Sequence, residues 1–333
     1  MANIREVARL AGVSSGTVSR YLNGIKIRDK NAKAIAKVID ELNYRPSILG
    51  RALTNSKSYT VGVLLVNAGN VFVGSCISTL ETEFEKRGYS ALFVDFHGSL
   101  DVLWEKIEYL RSRSVDGLVI FLSETDETHM KPLATLDIPV IVIDNPLSDD
   151  TVDSIVVNNM ESTEHVVGAM IDAGHRRIGI IAPSQKTYVG RQRLEGWKRA
   201  YAARNLPICK NDIILCDSTK NEGFEAACRF LDCKDVTAIF ASNYYMALGA
   251  LKAMNERGVR PGVDLGFGSF DDYDFSDVIY PPLTVIGQPM QEIVDTVVRT
   301  MCARLDEGAR PSGVRMLTCE VCLTDSIMGG LRG

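Results

Sequence analysis

The sequence predicts an α/β protein in which a small all-α head precedes two doubly wound parallel sheets. The head region places apolar residues at helical spacing, whereas beyond residue 60 short apolar runs alternate with helical stretches, and this alternation starts again near residue 165. Such alternation predicts parallel sheets with helices on both faces, because the crossover connections are right-handed. Two such units in tandem predict a cleft, and ligands of these folds bind outside the carboxyl ends of the strands.

Residues 3–23 predict two short helices joined by a turn at Gly12. Asn3 is placed to cap the first helix, with Glu6 three positions later, and Ser14 is placed to cap the second. A third helix is predicted over 29–42. The apolar stripes expected to form the core of the head are Ile4, Val7, Ala8, Ala11, Val18, Leu22, Ala32, Ile35, Ala36, Ile39 and Leu42. An ordinary helical hairpin is the alternative for the first two helices.

The body is predicted as two successive β-α series. In the first, strands are expected over 61–66, 91–96, 118–122 and 140–143, with helices ending at residue 87, over 102–113 and ending at residue 136. In the second, helices are expected over 165–173, 191–203, 224–231 and 246–257, with strands over 178–181, 213–215, 238–240 and 265–270.

The charge distribution divides the chain into a basic head and an acidic body. Up to Lys57 there are 11 Lys and Arg against 4 Asp and Glu, which leaves 26 and 38 for the remainder. A compact basic head can neutralise nucleic-acid phosphates and release their counterions. The acidic body opposes non-specific association with nucleic acid.

The cysteines and the hydropathy pattern exclude several classes of protein. Of the eight cysteines, only Cys319 and Cys322 have C-x-x-C spacing, in a run over 316–323 that predicts a single strand. Without a second such pair a zinc site is not expected, so all eight are predicted to be reduced structural thiols. No apolar run of about twenty residues and no signal peptide is seen, so we expect a cytoplasmic protein without a membrane partner.

Motifs of common enzyme classes are also missing from the sequence. No G-x-G-x-x-G follows a predicted strand, there is no P-loop and no G-x-S-x-G, and the histidines at 97, 129, 165 and 175 are scattered. We therefore expect no catalytic activity, no cofactor and no metal site.

The N-terminal motifs resemble those of the lactose/galactose repressor family of bacterial transcription regulators. The resemblance is carried by Glu6-Val7-Ala8, by 11–14, by 17–20, by Leu22-Asn23, by 41–46 and by Arg51-Ala52-Leu53. It implies a helix-turn-helix DNA-binding domain over 1–46, a hinge helix and linker over 47–59, and a periplasmic-binding-protein-like effector and dimerisation domain over 60–333. The implied N-terminal lobe combines about 60–157 with 287–317, and the C-terminal lobe about 158–286 with 318–333.

The same resemblance implies a homodimeric regulator, more often a repressor, that binds a pseudo-palindromic operator. The residues it assigns to DNA are Ser14, Ser15, Gly16, Thr17, Ser19, Arg20, Asn23, Tyr44, Gly50 and Leu53. The linker over 47–54 is expected to fold only on DNA, with Leu53 inserted into the minor groove. Gly50 stands where the family usually has Ala. The chain ends without a leucine heptad, so no tetramer is expected.

For the effector, the resemblance implies six residues near strand ends. They are Asn70, Phe72, Asp144, Arg193, Asn243 and Asp271, with Asn145 and Arg191 as further candidates. The alternatives are a helix cap for Asp271, a solvated face for Arg193 and a turn for Asn243.

A sugar or sugar derivative is the expected effector. Tyr244 replaces a common Asp and Val71 and Val73 replace common residues around Phe72, which weakens the transfer from sugar-binding relatives. A nucleobase-responsive or phosphoprotein-responsive regulator and a solute-binding protein are the alternatives.

Overall fold

The computed structural model describes residues 3–22, 25–44, 57–122, 130–147, 151–272, 276–311 and 313–330. The chain separates into a small unit, which runs from the N-terminus to Thr60 and includes Ser114–Asp116, and a large unit that contains the remainder.

The small unit contains the three expected helices, α1 (Ile4–Leu10), α2 (Ser15–Leu22) and α3 (Asp29–Glu41). Both predicted caps are confirmed. The Asn3 Oδ1 atom accepts a hydrogen bond from the Glu6 amide at 3.0 Å, and the Ser14 Oγ atom accepts one from the Thr17 amide at 3.2 Å.

One part of the predicted head core is wrong. Ala36 is exposed, whereas Val38 is buried together with Val7, Val18 and Ile35. The buried stripe of α3 follows the order i, i+3, i+4, i+7 from Ile35, which turns Ala36 towards the opposite face.

The first lobe of the large unit is built on a six-stranded sheet with the order β11-β5-β4-β3-β1-β2. Its strands and the helices that follow them are β1 (Thr60–Leu65), α4 (Val71–Lys86), β2 (Ser90–Asp95), α5 (Leu100–Ser112), β3 (Gly117–Phe121), β4 (Val140–Ile143), β5 (Asp153–Val157), and, much later in the chain, α10 (Met290–Asp306) and β11 (Val314–Leu317). The pairs β1–β3, β3–β4, β4–β5 and β5–β11 are parallel.

The second lobe repeats this arrangement with the order β12-β10-β9-β8-β6-β7. Its elements are α6 (Asn159–Ala173), β6 (Ile178–Pro183), α7 (Tyr188–Ala202), β7 (Ile213–Cys216), α8 (Lys220–Asp232), β8 (Ala238–Ala241), α9 (Tyr244–Glu256), β9 (Gly266–Phe270), β10 (Thr284–Gly287) and β12 (Glu320–Cys322). Only β12 is antiparallel to its neighbour among the described pairs. The two sheets therefore have equivalent strand orders, in which β4 and β9 hold equivalent places, and they differ in the direction of the edge strand, since β11 is parallel to β5 and β12 is antiparallel to β10.

The alternation of strands and helices is confirmed, but β5, β10 and α10 were not anticipated. The single strand expected over 316–323 is wrong, because β11 and β12 belong to different sheets and the chain crosses between the lobes at 318–319. The helix expected to end at residue 136 is described only from residue 130, where Lys131–Thr135 forms a 3₁₀ turn. None of the described helices combines the length and apolar character needed to cross a membrane.

His175 joins three segments at the base of the second sheet. Its Nε2 atom lies 2.7 Å from the Ile327 carbonyl oxygen and must donate to it, so its Nδ1 atom accepts from the Thr237 hydroxyl at 2.8 Å. Gly266 makes room for the ring, since a Cβ there would lie 2.7 Å from Nε2. Burial lowers the pKa of His175 below its usual value, so the ring is neutral in the folded protein at pH 7.

We predict that His175→Ala lowers the free energy of unfolding by about 2–4 kcal/mol, because it leaves a cavity and two buried groups without partners. Urea titration measures the change. His165→Ala, at an exposed position of α6, is the matched control and should change stability by less than about 0.5 kcal/mol.

The same substitution should alter the pH dependence of stability. Because the native pKa of His175 is lowered, the unfolded chain takes up this proton more readily than the folded one, and wild-type stability falls as the pH drops below about 6.5. Titrations at pH 7.5 and 5.5 should show a smaller fall in the His175→Ala protein. Equal falls in the two proteins would contradict the neutral-ring assignment.

Candidate functional site: an exposed helix surface and an interlobe cavity

The N-terminal half of α2 gathers small polar residues on one accessible surface. Ser14, Ser15, Gly16 and Arg20 are exposed, and the intervening Thr17 and Ser19 are half-buried. The buried Val18 fixes the helix against the core of the head. Such a surface lets the backbone approach a major groove closely, with one guanidinium available to base edges.

The other residues assigned to DNA are placed differently. Tyr44 packs against the apolar core of the head, and burial raises its pKa. The structure therefore gives Tyr44 a packing role apart from the α2 surface. Asn23, Gly50 and Leu53, together with the hinge helix expected over 47–54, lie outside the described residues.

A cavity of about 150 Å³ lies between the two lobes, at the carboxyl ends of their strands. All six residues predicted for the effector line it: Asn70, Phe72, Asp144, Arg193, Asn243 and Asp271. Asn145 and Arg191 do not line it, and Arg191 instead donates to the Gln185 and Lys186 carbonyl oxygens at 3.1 and 3.3 Å. The cavity wall also includes Tyr245 and Gln288, which the sequence analysis missed.

The two aspartates occupy equivalent places in the two lobes. Asp144 follows β4 and Asp271 follows β9, and both have left-handed backbones, with φ of 67° and 74°. Each amide donates to the adjacent strand, Asp144 to the Ile155 carbonyl at 3.0 Å and Asp271 to the Ile286 carbonyl at 2.9 Å. Aspartate tolerates this conformation better than most side chains, so the repeated fold presents one carboxylate from each lobe.

Arg193, on α7, is the cation of the cavity. Only 4% of the residue is exposed, which excludes the solvated face considered from the sequence. Its Nε atom donates to Asn159 Oδ1 at 2.8 Å, its Nη1 atom donates to the Ser242 carbonyl at 2.5 Å, and its Cζ atom lies 3.4 Å from the centroid of the Phe270 ring. A buried guanidinium needs such partners, because an unpaired buried charge is very unfavourable.

Asp271 is bonded on several sides. It accepts a hydrogen bond from the Gln288 Nε2 atom at 2.7 Å and from the Tyr244 amide at 3.2 Å, and its Oδ2 atom lies 3.9 Å from Arg193 Nη1. Asn243 is the N-cap residue of α9, so Asp271 is not its cap in sequence, although the Tyr244 amide that it accepts from is the first of that helix. The carboxylate is thereby held in one position at the cavity wall.

The two asparagines are helix caps that also reach the cavity. Asn243 Oδ1 accepts from the Met246 amide at 2.8 Å at the start of α9, and Asn70 Oδ1 accepts from the Val73 amide at 3.3 Å at the start of α4. A cap uses the side-chain oxygen and leaves the Nδ2 group as a donor. Asn243 is therefore more than a turn residue.

Asp144 differs from Asp271 in having no hydrogen-bond partner for its carboxylate among the described residues. Burial is the main cause that raises the pKa of Asp144 to about 6, opposed by Arg193 and reinforced by Asp271. The cavity thus holds one carboxylate that accepts hydrogen bonds, that of Asp271, and one without a hydrogen-bond partner among the described residues, that of Asp144.

Aromatic residues and one lobe-to-lobe hydrogen bond complete the cavity. Phe72 meets Phe121 edge-to-face, with ring centroids 6.0 Å apart. The Tyr245 hydroxyl, on α9 of the second lobe, donates to the Gly69 carbonyl of the first lobe at 2.8 Å. In the part of the chain that the structure describes, no group of three His, Cys, Asp or Glu residues could hold a metal ion.

Two protein-family models match the chain, one in the helical head and one in the large unit. Residues 3–47 match the model of bacterial regulatory proteins of the lacI family, and residues 167–327 match a periplasmic binding protein-like domain. The chain is 29% identical over 334 residues to the HTH-type transcriptional repressor PurR of Photobacterium profundum, covering 98% of this chain and 99% of the relative. It is also 29% identical to the ribose operon repressor of Haemophilus influenzae, covering 92% of each chain.

Solved structures agree on the fold. A Lac repressor dimer bound to operator and the anti-inducer ONPF superposes with a TM-score of 0.87 at 24% identity, covering 98% of this chain and 99% of that one. A putative ribose operon repressor from Burkholderia thailandensis has a TM-score of 0.71 at 26% identity, covering 80% and 99%.

We predict that Asp144→Asn stabilises the protein at neutral pH. Since the folded pKa is raised from 3.8 to about 6, ionisation of Asp144 disfavours folding above that range, and this cost disappears as the pH falls towards 3.8. The substitution should raise the free energy of unfolding by about 1–3 kcal/mol at pH 7.5 and by clearly less at pH 4.5. Urea titrations at both pH values measure the difference.

The control for this test is Asp272→Asn, at the exposed position next to Asp271. It should leave stability within about 0.5 kcal/mol of wild type at both pH values. If Asp144→Asn were destabilising at pH 7.5, the carboxylate would have favourable contacts beyond those made by the described residues.

Proposed function

We propose that the chain, whose residues 3–47 match the model of bacterial regulatory proteins of the lacI family, is a sequence-specific DNA-binding repressor controlled by a small molecule in the interlobe cavity. The observation that carries this proposal is the combination, in one chain, of the exposed α2 surface with a cavity lined by residues from both lobes. The names of its relatives, which are repressors, favour repression over activation.

The competing classes fit less well. A solute-binding protein would account for the two lobes but not for the basic helical head. An enzyme is disfavoured by the relatives, which are regulators of transcription. As a regulator of bacterial operons the protein would act in the cytoplasm.

We propose a homodimer on a pseudo-palindromic operator. Two copies of a helix-turn-helix head bind two half-sites, so the symmetry of the protein is matched by that of the DNA. The segment before β10 offers a surface for a second copy, since Val278 is 76% exposed and Tyr280 is 90% exposed. Neighbouring apolar side chains with this exposure are typical of association surfaces.

Control by the effector would act through the angle between the lobes. The Tyr245–Gly69 hydrogen bond joins the two lobes directly. Asp144 and Asp271 line the cavity from the first and the second lobe, so an effector in the cavity can contact both lobes. An effector that favours one lobe angle changes the spacing of the two linkers in the dimer, and hence operator affinity. A sugar or sugar derivative is the effector class that this proposal favours, with a nucleobase as the alternative.

The α2 surface generates a test of DNA reading. Arg20 is exposed and is placed to donate two hydrogen bonds to a guanine, a contact that discriminates by about 1–3 kcal/mol. Arg20→Ala should therefore lose specific binding while non-specific binding at low salt persists. Selection of binding sites from random DNA, with both proteins, measures the change in consensus.

Arg5→Ala is the control for Arg20→Ala. Arg5 is an exposed arginine of α1, outside the α2 surface, and removing it should leave the selected consensus unchanged. If Arg20→Ala also selects the wild-type consensus, Arg20 does not read bases. If wild type selects no consensus at all, the proposed function itself is wrong.

The cavity generates a second test. Asp271→Asn should leave operator affinity without effector nearly unchanged, because the cavity and the head belong to different units of the chain. With effector, losing a charged hydrogen-bond partner should raise the half-response concentration by roughly ten- to a hundredfold. Operator titrations over a range of effector concentrations measure it, with Asp272→Asn as the matched control; a wild-type response would place the effector elsewhere.

A further inference from the structure

One carboxylate holds the C-terminal end of the linker. The Oδ1 atom of Asp116 accepts a hydrogen bond from the Ser58 amide at 2.9 Å, and its Oδ2 atom accepts one from the Tyr59 amide at 2.6 Å. The Asp116 amide donates to the Thr60 carbonyl oxygen at 2.8 Å. All of these residues belong to the small unit, which includes Ser114–Asp116. Asp116 is therefore bonded to three consecutive residues at the point where the linker ends.

The position of Asp116 in the chain explains why a side chain is needed here. The ladder between the parallel strands β1 and β3 begins at the pair Val61–Gly117, so the amides that precede β1 lie beyond it. Residues 57–60 are half-buried, and a backbone N–H group away from water needs a partner. Asp116 directly precedes β3, and its carboxylate supplies the acceptors that the strand backbone no longer provides.

The backbone of this segment is held in one conformation. Tyr59 and Ser114 are left-handed, with φ of 54° and 58°. Residues with a Cβ atom adopt this conformation at a cost, and they keep it where their surroundings determine it. The Thr60 amide also donates to Ser58 Oγ at 3.2 Å, and Thr60 Oγ1 donates to the Ser58 carbonyl oxygen at 3.3 Å. Residues 58–60 are thus an ordered attachment rather than a loose tether.

We propose that Asp116 is a positioning residue for DNA binding, and that it anchors the linker so that the hinge helix expected over 47–54 starts from a fixed point. This inference rests on the proposed function, in which the two linkers of a dimer must reach one operator. It assigns to Asp116 no contact with DNA or with the effector, because the residue acts through the linker alone.

The length of free chain sets the size of the expected effect. With 58–60 anchored, residues 55–57 separate the hinge helix from the anchor, and three residues span at most about 11 Å. Without the anchor the first fixed pair is Val61–Gly117, and the tether lengthens to residues 55–60. Doubling a flexible tether lowers the effective concentration of its end by roughly threefold, and two tethers in a dimer lower it by roughly tenfold.

The test uses the full chain and the DNA site that the wild-type protein selects from random sequence. Asp116→Asn keeps the size of the side chain but offers one acceptor oxygen, and its Nδ2 group faces a second donor. We expect it to weaken binding to the selected site by about tenfold, measured by titration at one salt concentration. Binding to unrelated DNA at low salt should stay within about twofold of wild type, because the hinge helix is expected to fold only on the operator. A general structural defect would weaken both.

Amide hydrogen exchange tests the anchor itself without DNA. In Asp116→Asn the Ser58 and Tyr59 amides should exchange at least about tenfold faster than in the wild-type protein, because their acceptors are lost or reduced. Thr60→Val perturbs the same attachment from the other side, since it removes only the hydroxyl bond to Ser58. It should weaken binding to the selected site by about two- to fivefold, as expected for one neutral hydrogen bond.

Asp137→Asn is the matched control. Asp137 lies in the loop before β4, the strand next to β3, where its side chain is 77% exposed and pairs with Arg111. The substitution makes the same change of charge at a site that does not touch the linker. It should leave DNA binding and the exchange of the Ser58 and Tyr59 amides as in the wild-type protein.

Three outcomes would overturn the inference: an Asp116→Asn protein that binds the selected site as tightly as wild type, equal losses for selected and unrelated DNA, or Ser58 and Tyr59 amides that exchange equally fast in the two proteins. Each of these leaves the proposed function standing, because the wild-type protein has selected a site. If the wild-type protein selects no consensus, the proposed function is wrong and the role of Asp116 in DNA binding is refuted with it, whereas faster exchange in the variant would still establish the anchor.

Discussion

The buried guanidinium of Arg193 is the constraint on which the cavity depends. It extends from α7 and bonds Asn159 at the start of α6 and the carbonyl of Ser242 at the end of β8, while it lies on the ring of Phe270 at the end of β9. One side chain thus fixes the relative positions of four elements of the second lobe. Since breaking a buried charge from its partners is strongly destabilising, those elements cannot shift independently. The wall that holds Asp271 is rigid for this reason.

Sequence reasoning succeeded where local chemistry is decisive. The caps at Asn3 and Ser14 and the alternation of strands with helices follow from residue type and period, and the structure contains them. It failed where the structure of a segment depends on contacts with residues that are distant in the chain. β5 begins with Asp153, a polar residue that is buried and paired with Arg304, and its apolar run is only three residues long, over 155–157. Gln288 follows β10, another strand that was not anticipated, so its place at the cavity had no signal in the sequence.

The equivalence of Asp144 and Asp271 could not be seen from the sequence either, because it arises from two sheets with the same strand order. Repetition of the fold places both carboxylates at the same edge, but their surroundings have diverged. The second lobe surrounds its aspartate with donors, whereas the first leaves its aspartate without any among the described residues. An unpaired, partly buried carboxylate lowers stability, and such local conflicts are characteristic of binding sites, where stability is sacrificed for recognition.

The connections between the lobes explain how a small ligand in the cavity can change the arrangement of the two lobes. Two of the crossing segments are bonded to each other, since the Asn158 amide donates to the Leu317 carbonyl at 3.0 Å and the Cys319 amide donates to Asn158 Oδ1 at 2.7 Å. The third contains Gln288, whose amide is bonded to Asp271 in the cavity wall. A ligand that competes for Asp271 therefore acts one hydrogen bond away from a lobe connection. The shift it can produce is limited by the difference between its affinities for the two lobe arrangements, so contacts with both aspartates give the greatest control.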